Sequence, residues 1–414
     1  MSELRIAQVR VRGILDSRGE PTIETDVELD GGACGRGSAP LAVAPGRRER
    51  RRSRVATLGP GAGSPELECA CRSLRRATFS SLEDFDWALE ALADAGATLA
   101  LSAAFCRAAC VVEERPLYDY LADAAGTTPD VPHPLVNVIS GGIHLSPQAN
   151  TFQQIMIVPR TGSIFEDVGV ALEAFDAVEW WLASRGEHRR LSASSGFVIE
   201  GASSERLLYE LADEAARQEW GAVVGLGVDV AAEHLEAGGG RYRLDGRELS
   251  GEDLLAFLER LATELDLVYL EDPFAPEHEQ LWRALAERLP STCLLVGDDL
   301  FATDATRVDR SLARGILLKP SQAGTITATL AAARAARAAG MDLCVSHRSG
   351  ETEDTFVCDL AFAVGARYQK VGGPRRGDRI AKYNQLLRLA EQAAPAPETD
   401  ITQRPRPLST VEGR

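Results

Sequence analysis

The chain has 414 residues, 45% of them hydrophobic and 26% charged, a globular composition whose length favours two domains or one barrel with an additional domain. Its net charge of −16 argues against a nucleic-acid partner, and no stretch approaches about 18 uninterrupted apolar residues, which argues against a membrane span. The opening MSELRIAQVRVRG lacks the apolar core of a signal peptide, so we expect a cytoplasmic protein with its eight cysteines reduced.

The first part of the chain carries the patterns of a mixed α+β region. Residues 4–30 alternate apolar and polar positions around a turn, which predicts a β-hairpin. The glycine- and proline-rich segment 31–65 predicts a loop. Helical periodicity begins after Ser81, a candidate N-cap, and continues in short helices to about Ala125. The proline-rich segment 127–134 is typical of a linker.

From residue 135 onward, short apolar runs alternate with helical stretches. Eight of these runs have the length and composition of buried strands. They are 135–139, 154–158, 223–229, 267–271, 293–298, 315–319, 342–346 and 368–371. Eight strands with helices between most of them predict a (β/α)8 barrel, whose active site would lie at the carboxyl ends of the strands. The tail 393–414 is rich in proline and polar residues, so we expect it to be disordered.

Three of the predicted strands end in carboxylates, at Asp229, Glu271 and Asp298. Side chains at neighbouring strand ends converge at the mouth of a barrel. Three carboxylates without a nearby His or Cys cluster favour a hard divalent ion, most simply Mg²⁺. The alternative is that these carboxylates cap the helices that follow.

The chain has 45 basic residues, of which only Lys319, Lys370 and Lys382 are lysine. Because arginine occupies nearly all basic positions, each remaining lysine is a candidate for a role that arginine cannot fill. Of the two residues, only lysine can lose its proton and act as a base. Lys319 closes a buried apolar run and is the candidate base. The alternative is a chance survivor on the surface.

Further polar groups follow the last two strands. Arg348 and Ser349 stand in the segment SHRSGETED, and Lys370 begins the segment KVGG. A guanidinium that can donate two parallel hydrogen bonds, a hydroxyl and an ammonium group suit a substrate with phosphate and carboxylate groups. Metal, lysine base and anion clamp together imply abstraction of a proton next to a carboxylate, with the metal stabilising the enediolate.

The motifs resemble those of enolases. The resemblance rests on ILDSRG at 14–19, NVISGGIH at 137–144, VDVAA at 228–232, EDP at 271–273, VGDDLF at 296–301, LK at 318–319, VSHRSGETED at 345–354 and AKYNQLLR at 381–388. It spans residues 5–392 and implies an α+β capping domain over 1–132, a modified (β/α)8 catalytic barrel over 133–392, Mg²⁺ dependence and a homodimer.

Carried over residue by residue, the resemblance also implies roles in the site. The metal ligands would be Asp229, Glu271 and Asp298. The catalytic groups would be Lys319, His144 and His347, and the substrate contacts would be Gln153, Arg348, Ser349 and Lys370.

Three departures from the enolase pattern stand beside these matches. Gln154 and Ser194 occupy positions where enolases carry glutamates that help the substrate hydroxyl leave as water, and an amide or a hydroxyl cannot supply that acid. Ala44 occupies the position of a metal-binding serine in a mobile loop. Directly after it, Arg47 and Arg48 open a run of six arginines in eight positions, which is either a solvated face or a site for an additional anionic group.

From this selective pattern we expect the chain to differ from an ordinary glycolytic enolase. The favoured hypothesis is a carboxyphosphonoenolpyruvate synthase of phosphinate antibiotic biosynthesis, acting on a phosphorylated or phosphonylated carboxylic acid and a cytidine nucleotide ester. Two alternatives stay open. One is a phosphopyruvate hydratase (enolase) with weak or altered dehydratase activity, and the other is a catalytically silent enolase-like scaffold.

Overall fold

A computed structural model of the chain describes residues 3–42, 45–52, 55, 57–146 and 149–393. Its strands are β1 (Leu4–Leu15), β2 (Pro21–Leu29), β3 (Cys34–Ser38), β4 (Gly59–Pro60), β5 (Thr78–Phe79), β6 (His133–Ser140), β7 (Gln154–Pro159), β8 (Phe197–Val198), β9 (Val224–Asp229), β10 (Glu236–Gly238), β11 (Arg241–Leu244), β12 (Arg247–Ser250), β13 (Tyr269–Glu271), β14 (Leu294–Gly297), β15 (Gly315–Leu318), β16 (Asp342–Ser346) and β17 (Tyr368–Lys370). Its α-helices are α1 (Pro65–Leu74), α2 (Leu82–Ala88), α3 (Ala95–Val112), α4 (Leu117–Ala125), α5 (Ile164–Ser184), α6 (Ser204–Ala216), α7 (Gly251–Glu264), α8 (Glu279–Arg288), α9 (Pro320–Ala323), α10 (Ile326–Ala338), α11 (Phe356–Ala363) and α12 (Gly377–Ala393).

The N-terminal region is an antiparallel sheet packed against helices. The predicted hairpin is confirmed, because β1 and β2 pair in antiparallel fashion up to Leu15 and Pro21. The Asp16 carboxylate accepts the backbone N–H groups of Arg18 and Glu20, at 2.8 and 3.0 Å, and so closes the turn between the two strands. The sheet has the order β3-β2-β1-β4, with β5 also paired to β1.

The prediction of an uninterrupted loop over 31–65 is wrong, because this segment contains β3 and the short β4. The physical reason lies in the glycines of β3. A Cβ atom at Gly35 would overlap the backbone carbonyl of Ala104, and one at Gly37 would overlap that of Ala100. These glycines therefore let β3 lie directly on the backbone of α3, and the same residues remove the apolar alternation by which a strand is recognised in a sequence.

Helix α3 is the one helix among the described residues that is both long and apolar enough to be considered as a membrane span. By length and composition alone it could cross a membrane, but 83% of it is buried inside the protein. It packs against β2, β3 and α2, which is the position of a core helix. The predicted cap at Ser81 is confirmed for α2, since the Ser81 hydroxyl accepts the N–H of Asp84 at 3.1 Å.

All eight cysteines are free thiols. Cys106 and Cys110 are buried on α3, as expected of small apolar residues. Cys69 is exposed and Cys71 is half-buried.

The second region is a closed barrel of eight strands, and each predicted strand overlaps one of them. The strand order is β6-β7-β9-β13-β14-β15-β16-β17, and β17 pairs back to β6 to close the barrel. One strand departs from a regular (β/α)8 barrel, because β7 runs antiparallel to both of its neighbours. Its first residue therefore lies at the end of the barrel where the other strands finish.

The barrel interior below its mouth is filled by apolar and aromatic side chains. Met156, Tyr269, Leu317 and Tyr368 belong to this inner cluster and are all nearly inaccessible to solvent. The interior is thus a packed core, and polar chemistry is confined to the mouth. Of the predicted disordered tail, Ala393 is the last residue of α12, and 394–414 lie outside the described residues.

Candidate active site

Consecutive strands deliver the predicted polar residues to one mouth of the barrel. Gln154 at the start of β7 is paired with Asp229 at the end of β9, and Asp229 is paired with Glu271 at the end of β13. Asp298 follows β14 and Lys319 follows β15. The register of the sheet thus places these side chains in one row, as the sequence predicted for the carboxyl ends of barrel strands.

Two lysines lie against the three carboxylates that were predicted as metal ligands. The Lys370 ammonium lies 2.7 Å from Asp229 and 2.8 Å from the nearer oxygen of Glu271. Lys319 makes an ion pair with Asp298. All three carboxylates are buried, so each negative charge depends on these cations when no metal ion is bound.

Burial and neighbouring charges shift the proton affinities of these groups. Burial, followed by the charge of Asp229, raises the pKa of Glu271 to about 7. Burial acts to raise the pKa of Asp298, but Lys319 outweighs it and holds that pKa below its usual value. Burial acts to lower the pKa of Lys319, and Asp298 reverses the effect, so its pKa lies above the ordinary value. Lys319 is therefore protonated while it is paired with Asp298.

A small cavity of about 50 Å³ lies over this row of charges. Its wall contains most of the predicted catalytic and substrate-binding residues. The lining residues are Ala42, Ile143, His144, Gln153, Gln154, Ser194, Lys319, Ser346, His347, Arg348, Ser349 and Lys370. We call this cavity the catalytic pocket. The structure brings these residues together from seven separate segments of the chain, which is the expected behaviour of a site rather than of helix caps.

The catalytic pocket contains buried polar atoms that have no partner within the protein. They are the side-chain oxygens of Gln153, Gln154 and Ser194 and the Nδ1 atom of His347. A buried polar atom without a hydrogen bond is costly, and such atoms rarely cluster without a reason. Their convergence on one cavity indicates a polar ligand.

The two histidines of the pocket are neutral at pH 7. Burial lowers the pKa of His144 to about 4, although Asp229 opposes the effect. Burial, followed by the charge of Arg379, lowers the pKa of His347 well below its usual value. Both rings can therefore donate or accept a hydrogen bond, but neither adds positive charge for an anionic ligand.

Arg348 is held by two residues that do not line the catalytic pocket. Its Nη2 atom donates to both oxygens of Glu49, at 2.7 and 3.0 Å, and its Nη1 atom donates to the Ser321 hydroxyl at 3.2 Å. Both members of the Glu49–Arg348 pair are buried, with side chains about 5% and 6% exposed.

Arg47 and Arg48 lie apart from the catalytic pocket. Arg47 makes ion pairs with Glu233 and Glu236, at 3.4 and 3.3 Å. Arg48 donates to the backbone carbonyl of Leu300 at 2.8 Å. Neither arginine lines the catalytic pocket, so the structure assigns them contacts between this loop and the barrel. Ala44, the position of the expected loop serine, and Arg54 lie outside the described residues.

Three residues around the carboxylate row were not predicted as part of the site: Tyr269, Asp272 and Asp299. Asp272 accepts the backbone N–H groups of Asp298 and Asp299, both at 2.8 Å, and so fixes the chain that presents Asp298. Asp272, Asp298 and Asp299 also form a cluster of carboxylates close enough to share a cation. Tyr269 donates its hydroxyl hydrogen to Glu271 at 2.6 Å. The i, i+2 spacing of Tyr269 and Glu271 on one strand was an available signal, since such residues share a face.

Two comparisons with known proteins place the chain. Residues 129–399 match the family model "Enolase, C-terminal TIM barrel domain". The chain is also 35% identical over 417 aligned residues to an enolase of Aeropyrum pernix, and the alignment covers 94% of each protein.

These findings correct the functional expectation drawn from the sequence. The expected carboxyphosphonoenolpyruvate synthase, and with it the exclusion of an ordinary enolase, is wrong, because a relative aligned over nearly the whole chain is an enolase. The departures at Gln154 and Ser194 therefore do not exclude an enolase, because the similarity extends over almost the whole chain. Members of this family use Mg²⁺. The chain belongs to the enolase family.

Proposed function

We propose that this protein is a phosphopyruvate hydratase, which removes water from 2-phosphoglycerate to give phosphoenolpyruvate. The observation that carries the proposal is the convergence of unpartnered polar atoms, two lysines and one arginine on the catalytic pocket above three buried carboxylates. The 35% identity to an enolase over almost the whole chain supports the same reaction.

Lys319 is the proposed base of this reaction. It would take the proton from the carbon next to the substrate carboxylate, and the electrons left behind would form the enediolate. Asp298 holds Lys319 protonated, so Lys319 becomes a base only when the charge of Asp298 is engaged elsewhere. A lysine in this place can lose a proton, whereas an arginine cannot.

The carboxylates Asp229, Glu271 and Asp298 are the proposed Mg²⁺ ligands. Their chemistry fits the ion, because they offer only oxygen donors and all three are buried. When bound, Mg²⁺ supplies positive charge that stabilises the enediolate. Asp272 is a poorer ligand, since both of its oxygens already accept backbone N–H groups.

Arg348, Ser349 and Lys370 are the proposed contacts to the charged groups of the substrate. In the pocket wall, Lys319, Lys370 and Arg348 supply three cationic side chains close to the carboxylates, and a bound divalent cation would add further positive charge. An acid that carries both phosphate and carboxylate groups complements such a site.

The part of the site that would face the leaving hydroxyl of the substrate differs from the enolase pattern. At the two positions where the enolase resemblance implies glutamates, this chain presents Gln154 and Ser194, and both line the catalytic pocket. No carboxyl group stands among the described residues of that wall. We therefore propose a dehydratase whose assistance to the leaving hydroxyl is altered, with hydrogen bonds from neutral groups in place of a carboxylic acid.

The test is the formation of phosphoenolpyruvate from 2-phosphoglycerate and Mg²⁺, followed by absorbance, for the wild-type protein and for Lys319→Arg. We expect turnover by the wild type and a loss of about 100-fold or more in Lys319→Arg, the lower range for removal of a general base. Equal turnover by both proteins would remove Lys319 from the mechanism. A wild type that binds phosphoenolpyruvate in a Mg²⁺-dependent manner without turnover would favour the silent scaffold.

We also propose a homodimer, as the resemblance to enolases implies, with domains divided near residue 132. Light scattering on the purified protein tests the first proposal. Separate expression of 133–392 tests the second, since an independent barrel should unfold cooperatively on its own.

A further inference from the structure

We propose that Glu49 is a positioning residue for Arg348, and that it couples the placement of an arginine-rich loop to anion binding in the catalytic pocket. The loop comprises residues 45–52 and is called here the Arg loop. The inference rests on the proposed function only for the identity of the anion, because the geometry concerns any phosphate group held by Arg348.

The first step is the location of Glu49 relative to the catalytic pocket. Glu49 does not line that pocket. It lines a neighbouring cavity of about 930 Å³, whose wall does not include Arg348. Arg348 therefore lines the catalytic pocket, while the carboxylate that binds its guanidinium is not part of the pocket wall. Glu49 can therefore orient Arg348 without itself lining the pocket in which an anion would lie.

The second step is the way in which the Glu49 carboxylate is itself fixed. Its Oε1 atom accepts the backbone N–H of Gly46 at 3.1 Å and lies 3.5 Å from the amide nitrogen of Gln322. The same amide nitrogen donates to Asp298 at 2.9 Å. Glu49 thus links the Arg loop, Arg348 and the carboxylate row through direct side-chain contacts.

The third step is the attachment of the Arg loop to the barrel at further points. Arg47 pairs with Glu233 and Glu236, Arg48 donates to the Leu300 carbonyl, and Arg50 donates to the Ala323 carbonyl at 3.1 Å. None of these contacts involves Arg348. The loop can therefore be loosened either at the Glu49 contact or elsewhere, and the two effects can be separated.

Coupling of this kind is reciprocal. If the docked Arg loop improves the affinity of Arg348 for an anion, the anion must stabilise the docked loop by the same factor. The six arginines of residues 47–54 supply a direct readout, because trypsin cleaves after arginine once a segment is released from its contacts.

The experiment compares wild type, Glu49→Gln, Glu49→Asp and Glu236→Gln. Affinity for inorganic phosphate and for phosphoenolpyruvate is measured by calorimetry in Mg²⁺, and trypsin cleavage within residues 47–54 is followed by mass spectrometry with and without phosphate. Glu236→Gln is the matched control, because it removes a loop-to-barrel ion pair without touching Arg348. Thermal unfolding establishes that each variant is folded.

We expect faster loop cleavage in both glutamine variants, but weaker phosphate binding, by about tenfold or more, only in Glu49→Gln. Phosphate should protect the loop of the wild type and of Glu236→Gln, and should not protect Glu49→Gln. Glu49→Asp keeps the charge and should recover part of the affinity. In turnover, the loss for Glu49→Gln should fall on KM more than on kcat.

Unchanged or tighter phosphate binding by folded Glu49→Gln would overturn the inference, since Glu49 would then be an internal competitor or only an anchor. An equal loss of affinity in Glu236→Gln would overturn it as well, because loop attachment alone would explain the effect. Absence of dehydratase turnover in the wild type, with the phosphate effects intact, would refute the proposed function and leave this inference standing.

Discussion

The three lysines of the chain occupy positions that explain why they are not arginines. Lys370 and Lys382 are buried, and the Lys319 side chain is only 14% exposed. Each ammonium lies against a carboxylate, with Lys382 placed 3.0 Å from Glu351. The alternative of a chance survivor on the surface is therefore wrong for Lys319. A compact ammonium fits these narrow sites between carboxylates, where a planar guanidinium would need more space.

Gln154 offers the sharpest single test of the proposal that neutral groups replace a carboxylic acid near the leaving hydroxyl of the substrate. Gln154→Glu keeps the size of the side chain and introduces a carboxyl group into the catalytic pocket. We expect kcat for dehydration of 2-phosphoglycerate to rise by about tenfold or more, a partial gain of the ~10²–10⁴-fold typical of general acid catalysis.

Gln153→Glu is the matched control for that change. It adds the same charge one residue away, where the present amide lies 3.4 Å from Asp229, and it should lower activity through repulsion between carboxylates. A similar change in kcat for both variants would mean that net charge, and not a positioned acid, controls the rate.

Tyr269 is expected to strengthen metal binding through Glu271. Tyr269→Phe deletes the hydroxyl that donates to Glu271 and leaves the ring in the barrel core. Since hydrogen bonds to charged groups contribute about 1.5–3 kcal/mol, we expect Mg²⁺ affinity by calorimetry to fall by about tenfold or more. Tyr368→Phe, a matched deletion deeper in the same core, should leave the affinity unchanged, and equal losses in both would contradict the role of Tyr269.

At the scale of elements, the sequence revealed the barrel strands because burial imposes a simple pattern on them. Each barrel strand is a short apolar run bounded by polar residues, and the ends of β9 and β13 at Asp229 and Glu271 were predicted to the residue. The antiparallel direction of β7 could not be predicted from its residues, because an apolar run has the same pattern in either chain direction. That direction is a property of the closed barrel.

The parts of the site that sequence reasoning did not predict depend on contacts between distant segments. Glu49 is separated from Arg348 by 299 residues, and only its position as the one acidic residue within the arginine run sets it apart in the sequence. Arg47 and Arg48 were predicted to form either a solvated face or a site for an anionic group, and in the structure they contact Glu233, Glu236 and Leu300. For each of these residues the residue type predicted the charge of the side chain, but its binding partner could be identified only from the folded structure.

Strand β3 provides a prediction at the element scale. Gly35→Ala should lower the free energy of unfolding by about 1–3 kcal/mol, because the new Cβ atom would overlap the Ala104 carbonyl and force β3 away from α3. Chemical denaturation measures the effect. Gly377→Ala is the control, since its Cβ atom would point into open space at the start of α12, and it should be neutral or stabilising. Equal effects at the two positions would contradict close packing of β3 on α3.

At the scale of the whole molecule, the N-terminal region is joined to the barrel by polar contacts near the catalytic pocket. Arg107 of α3 binds Asp354 through two hydrogen bonds, at 2.9 and 2.6 Å, and the hydroxyls of Ser38 and Thr352 lie 2.6 Å apart. Leu41 and Gly350 exchange backbone hydrogen bonds. The N-terminal region therefore binds the barrel segment that carries Arg348, and the arrangement of the site depends on both regions.

Asp86 is a second polar contact between the regions, and it has an energetic consequence. It lies on α2, is buried, and accepts the backbone N–H of Thr327 on α10 at 2.9 Å with one oxygen, whereas its other oxygen has no partner. Burial raises the pKa of Asp86 from 3.8 to about 6, despite the opposing hydrogen bonds from Thr327. The charged form is thus poorly accommodated at pH 7.

The sign of the pH dependence follows from this raised pKa. Between about pH 4 and pH 6 the folded protein holds a proton on Asp86 that the unfolded chain has already released, so this residue's contribution to stability decreases as the pH rises through that window. Asp86→Asn keeps an acceptor for the Thr327 N–H and removes the charge. At about 1.4 kcal/mol per pKa unit, we expect it to stabilise the protein by up to about 3 kcal/mol at pH 7 and by little near pH 4. Thermal unfolding of both proteins from pH 4 to pH 8 measures the difference. A loss of stability at pH 7 would show that Asp86 contributes to this contact as a satisfied charge, and a gain that is the same at every pH would show that ionisation of Asp86 is not the cause.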